Sequence, residues 1–353
     1  MLILVPQASA LAVRVGLVDH PDPRKQHRGE VPLCGGIAMY LAFLLCLLIL
    51  GTWRVFPKNF YIGASMMLAI GVLDDRYPLP AIARLLFQVL TIWAVVTLGG
   101  HVTSDLGAVL GAQGSSLGSW VNPITILAFV GLINAVNLSD GADGLAGGLA
   151  GVALVSVTVV LPVLRGGAGL LSLSVDPAEA VMALIGCVGG FLLFNARSPW
   201  RRQASIFMGD GGSMFLGFVI GWLLLYCCIE RPGIGRMPPV TSLWLVVVPL
   251  FDMMSCMYRR TLAGQSPMHA DRLHVHHLLQ AWGLSTGATV ATLVAVNAAG
   301  AAFGIALWRC QVSEFVSFVA WLALLSMYTA MTMRSWKRLG SRAGRSRQTV
   351  RSR

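Results

Sequence analysis

Of 353 residues, 56% are hydrophobic and only 12% are charged, whereas a soluble globular domain carries about a quarter charged residues. This excludes water as the main solvent, and no stretch reads as a separate soluble module. The net charge of +11 does not point to nucleic acid, because eight of the 26 Lys and Arg fall in 334–353, which reads as a flexible basic tail on anionic lipid behind a membrane-embedded domain at 1–333.

A helix needs roughly 17 to 25 largely apolar residues to cross the hydrocarbon layer, and such runs recur between short polar loops. In chain order the predicted spans lie at 2–18, 33–52, 60–73, 82–98, 123–136, 145–164, 181–194, 214–228, 240–257, 286–308 and 315–333. The first, third and seventh are short, so the expectation is an all-α, polytopic integral membrane protein of about ten or eleven transmembrane helices. The apolar start has no preceding basic region and no clear cleavage site, which predicts no cleavable signal peptide. The seven cysteines are scattered through apolar runs without disulfide or zinc spacing, and read as packing residues.

With the N-terminus outside, the loops at 19–32, 74–81, 137–144, 195–213 and 258–285 and the tail face the cytoplasm. Arg14 and Arg84 are counted at cytoplasmic helix ends. Only six basic residues (Arg54, Lys58, Arg165, Arg231, Arg236 and Arg309) then fall outside, in keeping with the positive-inside rule. On this topology, set by charge alone, four polar clusters land on one face: Asp74-Asp75, Asn134 to Asp143, Asp210, and His269 to His277. Ionisable groups near membrane helices are costly unless they serve a site, so their gathering predicts one on the cytoplasmic face.

Each cluster has its own chemistry. Asp74 and Asp75 are adjacent and point about 100° apart on a helix end; the plainer alternative is a solvated carboxylate at a helix boundary. Asp140 and Asp143 are three apart between glycines that admit tight turns and close ligand approach, against the alternative of a capped helix start. Phe207 to Ser213 brings Asp210 and three glycines to the start of an apolar helix, where N–H groups and the helix dipole favour phosphate. Four of the seven histidines, His269, His274, His276 and His277, sit with Arg272 in nine residues. Zinc is the rival there, but no Cys accompanies them and imidazoles gripping phosphate oxygens suit the neighbouring Arg. The oxygen donors together call for Mg²⁺, which pairs with substrate phosphate, while Arg84, Arg272 and the histidines balance charge on the remaining oxygens.

Five ordered motifs then carry a resemblance across nearly the whole chain: Val18-Asp19-His20-Pro21 with Arg24-Lys25-Gln26-His27, Asp74-Asp75-Arg76, Asn137-Leu138-Ser139-Asp140-Gly141, Phe207-Met208-Gly209-Asp210, and Asp271 to Leu279. They resemble the polyprenyl-phosphate N-acetylhexosamine-1-phosphate transferase family, and Leu278-Leu279 after the histidines, with Pro249-Leu250-Phe251-Asp252-Met253 before Tyr258-Arg259-Arg260, is similar to its bacterial GlcNAc branch. The first span is shorter than in relatives, which a misassigned start or a real truncation would each explain. The resemblance implies that Asp210 and Asn137 hold Mg²⁺, with Mn²⁺ as substitute, and that Asp143 and Phe207 lie around the uracil. It further implies that Arg84 contacts phosphate and that His274, His276 and His277 lie near the pyrophosphate, with Asp74 and Asp75 catalytic and Asp140 and Arg272 binding substrate.

The expected reaction moves GlcNAc-1-phosphate from UDP-GlcNAc to undecaprenyl phosphate in the bacterial inner membrane and opens O-antigen or related polysaccharide synthesis; another UDP-N-acetyl sugar is the alternative donor. Relatives suggest a homodimer. An ion-coupled transporter and a lipid phosphatase are the rivals. Against the first, the motifs cluster on one face and no inverted repeat is evident. Against the second, the phosphatase signature is missing. Asp252, the acidic residue placed well inside a span, reads equally as a packing hydrogen bonder or as a residue supporting the site.

Overall fold

Inside a bilayer the backbone finds no water to bond, so apolar runs of this length must close their hydrogen bonds as helices. The computed structural model describes residues 1–20, 29–99, 107–109, 118–164, 177–198, 200–201, 203–230, 235–268 and 273–351. Among these, thirteen α-helices follow in order: α1 (Leu4–Arg14), α2 (Gly35–Ile49), α3 (Lys58–Arg76), α4 (Ala81–Gly99), α5 (Val121–Leu138), α6 (Leu145–Leu164), α7 (Pro177–Asn195), α8 (Gly209–Cys228), α9 (Pro239–Leu245), α10 (Val247–Leu262), α11 (Val275–Ala281), α12 (Thr286–Arg309) and α13 (Glu314–Arg351). Two short strands, β1 (Val18–Asp19) and β2 (Val31–Pro32), pair antiparallel.

Helices stand at all eleven positions read from the sequence. Seven of them, α4 to α8 without a break and then α12 and α13, are long and apolar enough to cross a membrane, and the bent pair α9–α10 makes an eighth. α1 falls short of the expected 2–18 span. It has 11 residues, about 16 Å at 1.5 Å per residue against a hydrocarbon core of about 30 Å. Gly16 adopts a left-handed φ of 70°, and the chain turns there into β1 instead of continuing as helix. α13 runs 38 residues, carrying the last apolar segment into the basic stretch without interruption.

The expected span at 240–257 is not one straight helix: it breaks at Val246 with a bend of 87° between α9 and α10. Pro249 is the cause, because its ring clashes with the carbonyl four residues back, that of Leu245, and it has no N–H to offer. Asn297 of α12, fully buried, makes good the loss: its Oδ1 accepts from Val248 N at 3.0 Å and its Nδ2 donates to Leu245 O at 3.2 Å.

α8 forms the axis of the molecule. All but three of its twenty residues are buried, and α2, α3, α5 and α6 pack around it. Its first turn sits against backbone: a Cβ on Gly71 of α3 would lie 2.4 Å from Gly211 Cα, and one on Gly36 of α2 would lie 2.3 Å from Gly212. Small residues at these crossings let three helices converge where α8 begins, which sets the site's position.

Candidate active site

The convergence brings together the C-terminal ends of α3, α5 and α7, the start of α4 and the N-terminus of α8. They enclose a cavity of 780 Å³. Asp74, Asp75, Arg84, Asn137, Asp140, Asp143, Phe207, Asp210 and His277 all line it, so nine of the side chains anticipated from sequence share one space. His274 and His276 stand behind the wall, buried. Arg272, with His269, Asp271 and Arg24 to His27, lies outside the described residues. Asn134 turns away to Gln88 of α4 (2.7 Å) and serves helix packing.

The two adjacent aspartates diverge as a helical step requires. Asp74, nearly buried, accepts from Leu79 N at 2.7 Å through Oδ1 and pairs through Oδ2 with Arg84 Nη1 at 2.5 Å. The same Nη1 lies 3.4 Å from Asp210 Oδ2, so Arg84 bridges two carboxylates from α3 and α8. Asp75 points the other way. Its oxygens accept the backbone N–H groups of Asp210 (2.8 Å) and Gly211 (3.1 Å), capping α8 from a different helix and using the dipole that favours an anion there. Gly209 makes room with φ 72°, since a Cβ on it would lie 2.5 Å from Asp75 Oδ2.

Asp210 is held on its other side by Asn137, whose Nδ2 donates to Oδ1 at 2.6 Å and reaches Ser213 Oγ at 2.9 Å. Asp140, in the loop between α5 and α6, has its carboxyl raised to about 8 by burial and by the neighbouring charges of Asp210, Asp75 and Asp143. Asp143 does not cap α6: its Oδ2 pairs with Arg197 Nε at 2.7 Å and lies 3.4 Å from Ala204 N. His276 packs over Gly141, where a Cβ would come within 2.6 Å of Nε2, and that buried nitrogen has no hydrogen-bond partner among the described residues. Burial, reinforced by His277, lowers its pKa to about 3.

Sequence reasoning missed Asn195, Arg197 and Gln203 of the cavity wall. Asn195 is 3% exposed. It accepts from Gly144 N at 2.7 Å and donates to Ile206 O at 2.9 Å, tying the Asp140–Asp143 loop to the segment that presents Phe207. The Asn at the end of an apolar run was the available signal, yet one residue without a motif gives no periodic cue.

Among the lining residues six carboxylates, Asp19, Asp74, Asp75, Asp140, Asp143 and Asp210, face two guanidiniums, Arg84 and Arg197. A cavity so charged repels phosphate unless a hard cation joins it, and its oxygen donors are of the kind Mg²⁺ takes; the donor set fits that ion. A second trio, Asp252, Cys256 and His274, has ligand-type atoms within 4.8 Å, but these atoms are already hydrogen-bonded to one another.

Residues 59–228 match the family model described as glycosyl transferase family 4, a segment that contains every cavity aspartate except Asp19. Over 328 residues the chain is 35% identical to the undecaprenyl-phosphate α-N-acetylglucosaminyl 1-phosphate transferase of Haemophilus influenzae, covering 93% of this chain and 89% of that protein. The protein of the same name from Escherichia coli K12 is 32% identical over 331 residues, covering 94% and 87%, and that from Pasteurella multocida is 35% identical over 328 residues, with 93% and 89%. With relatives this similar along nearly its whole length, and with five of the six cavity aspartates inside the matched segment, the chain belongs to glycosyl transferase family 4.

Proposed function

We propose that this protein transfers GlcNAc-1-phosphate from UDP-GlcNAc to undecaprenyl phosphate, releasing UMP, at the cytoplasmic face of a bacterial inner membrane. The observation that carries the reading is the cavity itself: six carboxylates and a bridging arginine lining one space, in a chain whose relatives bear that activity in their names.

In this reading Asp210 and Asn137 would hold a Mg²⁺ ion. A bound Mg²⁺ supplies the positive charge that lets a diphosphate enter among carboxylates and that stabilises the leaving UMP. An oxygen of the carrier phosphate attacks the sugar-linked phosphorus, the bond from that phosphorus to the UMP oxygen breaks, and undecaprenyl-diphospho-GlcNAc forms. The second pKa of a phosphate monoester is about 6, so the attacking group is ionised at neutral pH and needs no strong base. Asp74 is held by Leu79 N–H and Arg84, and direct displacement asks no covalent aspartyl phosphate of it. Arg84, shared by Asp74 and Asp210, would balance charge that grows on the transferred phosphoryl group. Arg197, Asp143 and Phe207 line the same cavity, and in this reading Phe207 would stack on the uracil.

The test is UMP release by detergent-purified protein given UDP-GlcNAc, undecaprenyl phosphate and Mg²⁺. Release that requires both lipid and metal, and that Asp210→Asn abolishes, is expected. Release only with another UDP-sugar would change the donor, and silence with every donor would overturn the transferase.

A further inference from the structure

Asp252 lies on α10, buried and not among the residues lining the cavity, yet both of its oxygens are hydrogen-bonded. Its Oδ2 bonds His274 Nδ1 at 2.8 Å, and its Oδ1 accepts from Val275 N at 2.9 Å and from Tyr328 OH of α13 at 3.1 Å. His274 stands at the N-cap of α11 without capping it; the carboxylate from α10 takes that role. α13 reaches the same turn a second time, with Trp336 Nε1 donating to Leu273 O at 3.1 Å. The peptide groups on both sides of His274 are therefore held from outside its own segment.

From His274 the contacts continue to the cavity. Its ring lies parallel to that of His276 (5.9 Å between centroids, 8°), His276 leans on His277 at 4.1 Å, and His277 is in the cavity wall. Docking of α10 on α13 does not need Asp252: Ser255 Oγ and Thr332 Oγ1 bond across the same joint at 3.1 Å, and Phe251 packs on Trp321 and Tyr328. A buried carboxylate is costly to desolvate unless its partners offset the loss of water, so one placed where packing alone suffices calls for a different role.

We propose that Asp252 and Tyr328 are positioning residues for the histidine segment, with Asp252 orienting His274 and holding the first turn of α11 so that His277 is seated at the cavity. The inference rests on the transferase reading. Through it the last helix, none of whose described residues lines the cavity, is coupled to the chemistry.

The experiment is steady-state kinetics of full-length protein in detergent with UDP-GlcNAc, undecaprenyl phosphate and Mg²⁺. Asp252→Asn keeps the shape but weakens the bond to Nδ1, and kcat is expected to fall about 10-fold, the lower end of the range seen when partners that orient metal ligands are removed, with KM for UDP-GlcNAc within about twofold. Tyr328→Phe removes one bond to the same carboxylate, and a kcat loss of about threefold or more is expected. Ser255→Ala cuts the helix joint without touching the histidines and is expected to leave kcat unchanged. Wild-type kcat in Asp252→Asn, or an equal loss in Ser255→Ala, overturns the proposal. If Asp252→Asn does not fold, an unchanged kcat in Tyr328→Phe overturns it. A silent wild type would instead overturn the transferase reading and this proposal with it.

Discussion

Asp75 shows how one carboxylate in the cavity wall can also build the backbone of the site. Its two oxygens bind two successive N–H groups at the start of α8, so it fixes the turn that carries Asp210. In Asp75→Asn one of those oxygens becomes an amide donor aimed at an N–H, and a charge-assisted hydrogen bond is lost. The expected cost is about 1.5 to 3 kcal/mol, read as a lowered thermal midpoint in detergent, together with loss of turnover because Asp210 shifts. Asp74, one residue earlier, is bound to Arg84 instead. The 100° step between them was legible in the sequence, but which aspartate would face the cavity's cation and which would cap a helix was not, because the partners lie ten and 135 residues away.

At the scale of elements, the α9–α10 break decides where Asp252 and the α11 turn can meet. Asn297→Ala strands one buried N–H and one buried carbonyl, each worth about 1 to 3 kcal/mol, and the expected result is a marked fall in thermal stability with no change in the cavity's own groups. The Asp252–His274 pair gives a pH signature. Burial, which alone would lower the His274 pKa, is outweighed by the hydrogen bond to Asp252 and by contact with Cys256, and the pKa rises to about 10. A histidine raised above its unfolded value of about 6.5 stabilises the fold fully below that pH and loses the contribution as pH climbs through the folded value. Thermal midpoints of wild type and Asp252→Asn are therefore expected to differ most at pH 6 and to converge toward pH 10. A gap that stays constant over that range would contradict the pairing. Pro249 was visible as a helix breaker in the sequence; the asparagine on another helix that makes the break tolerable was not.

For the whole molecule, the excess of negative charge in the cavity predicts linkage between metal and fold. A ligand that binds only the folded state stabilises by about 2.7 kcal/mol at a hundred times its Kd, so Mg²⁺ is expected to raise the thermal midpoint and EDTA to reverse the rise. Asp210→Asn should abolish this response; an unchanged midpoint in wild type would exclude a metal among these carboxylates. Composition placed the chain in a membrane, and apolar runs too long and too continuous for barrel strands made it helical, since hydrocarbon leaves such a run no other way to satisfy its backbone. The alternation of spans and loops likewise placed Asp74, Asn137, Asp140 and Asp210 at one end, because each crossing reverses direction whatever the packing. The sharing of Arg84 between two helices, the part played by Asn195, and the withdrawal of His274 and His276 behind the wall were decided only by the tertiary structure. Those outcomes depend on side chains far apart in the chain meeting across helix crossings, and such meetings leave no local pattern of spacing or hydropathy to read.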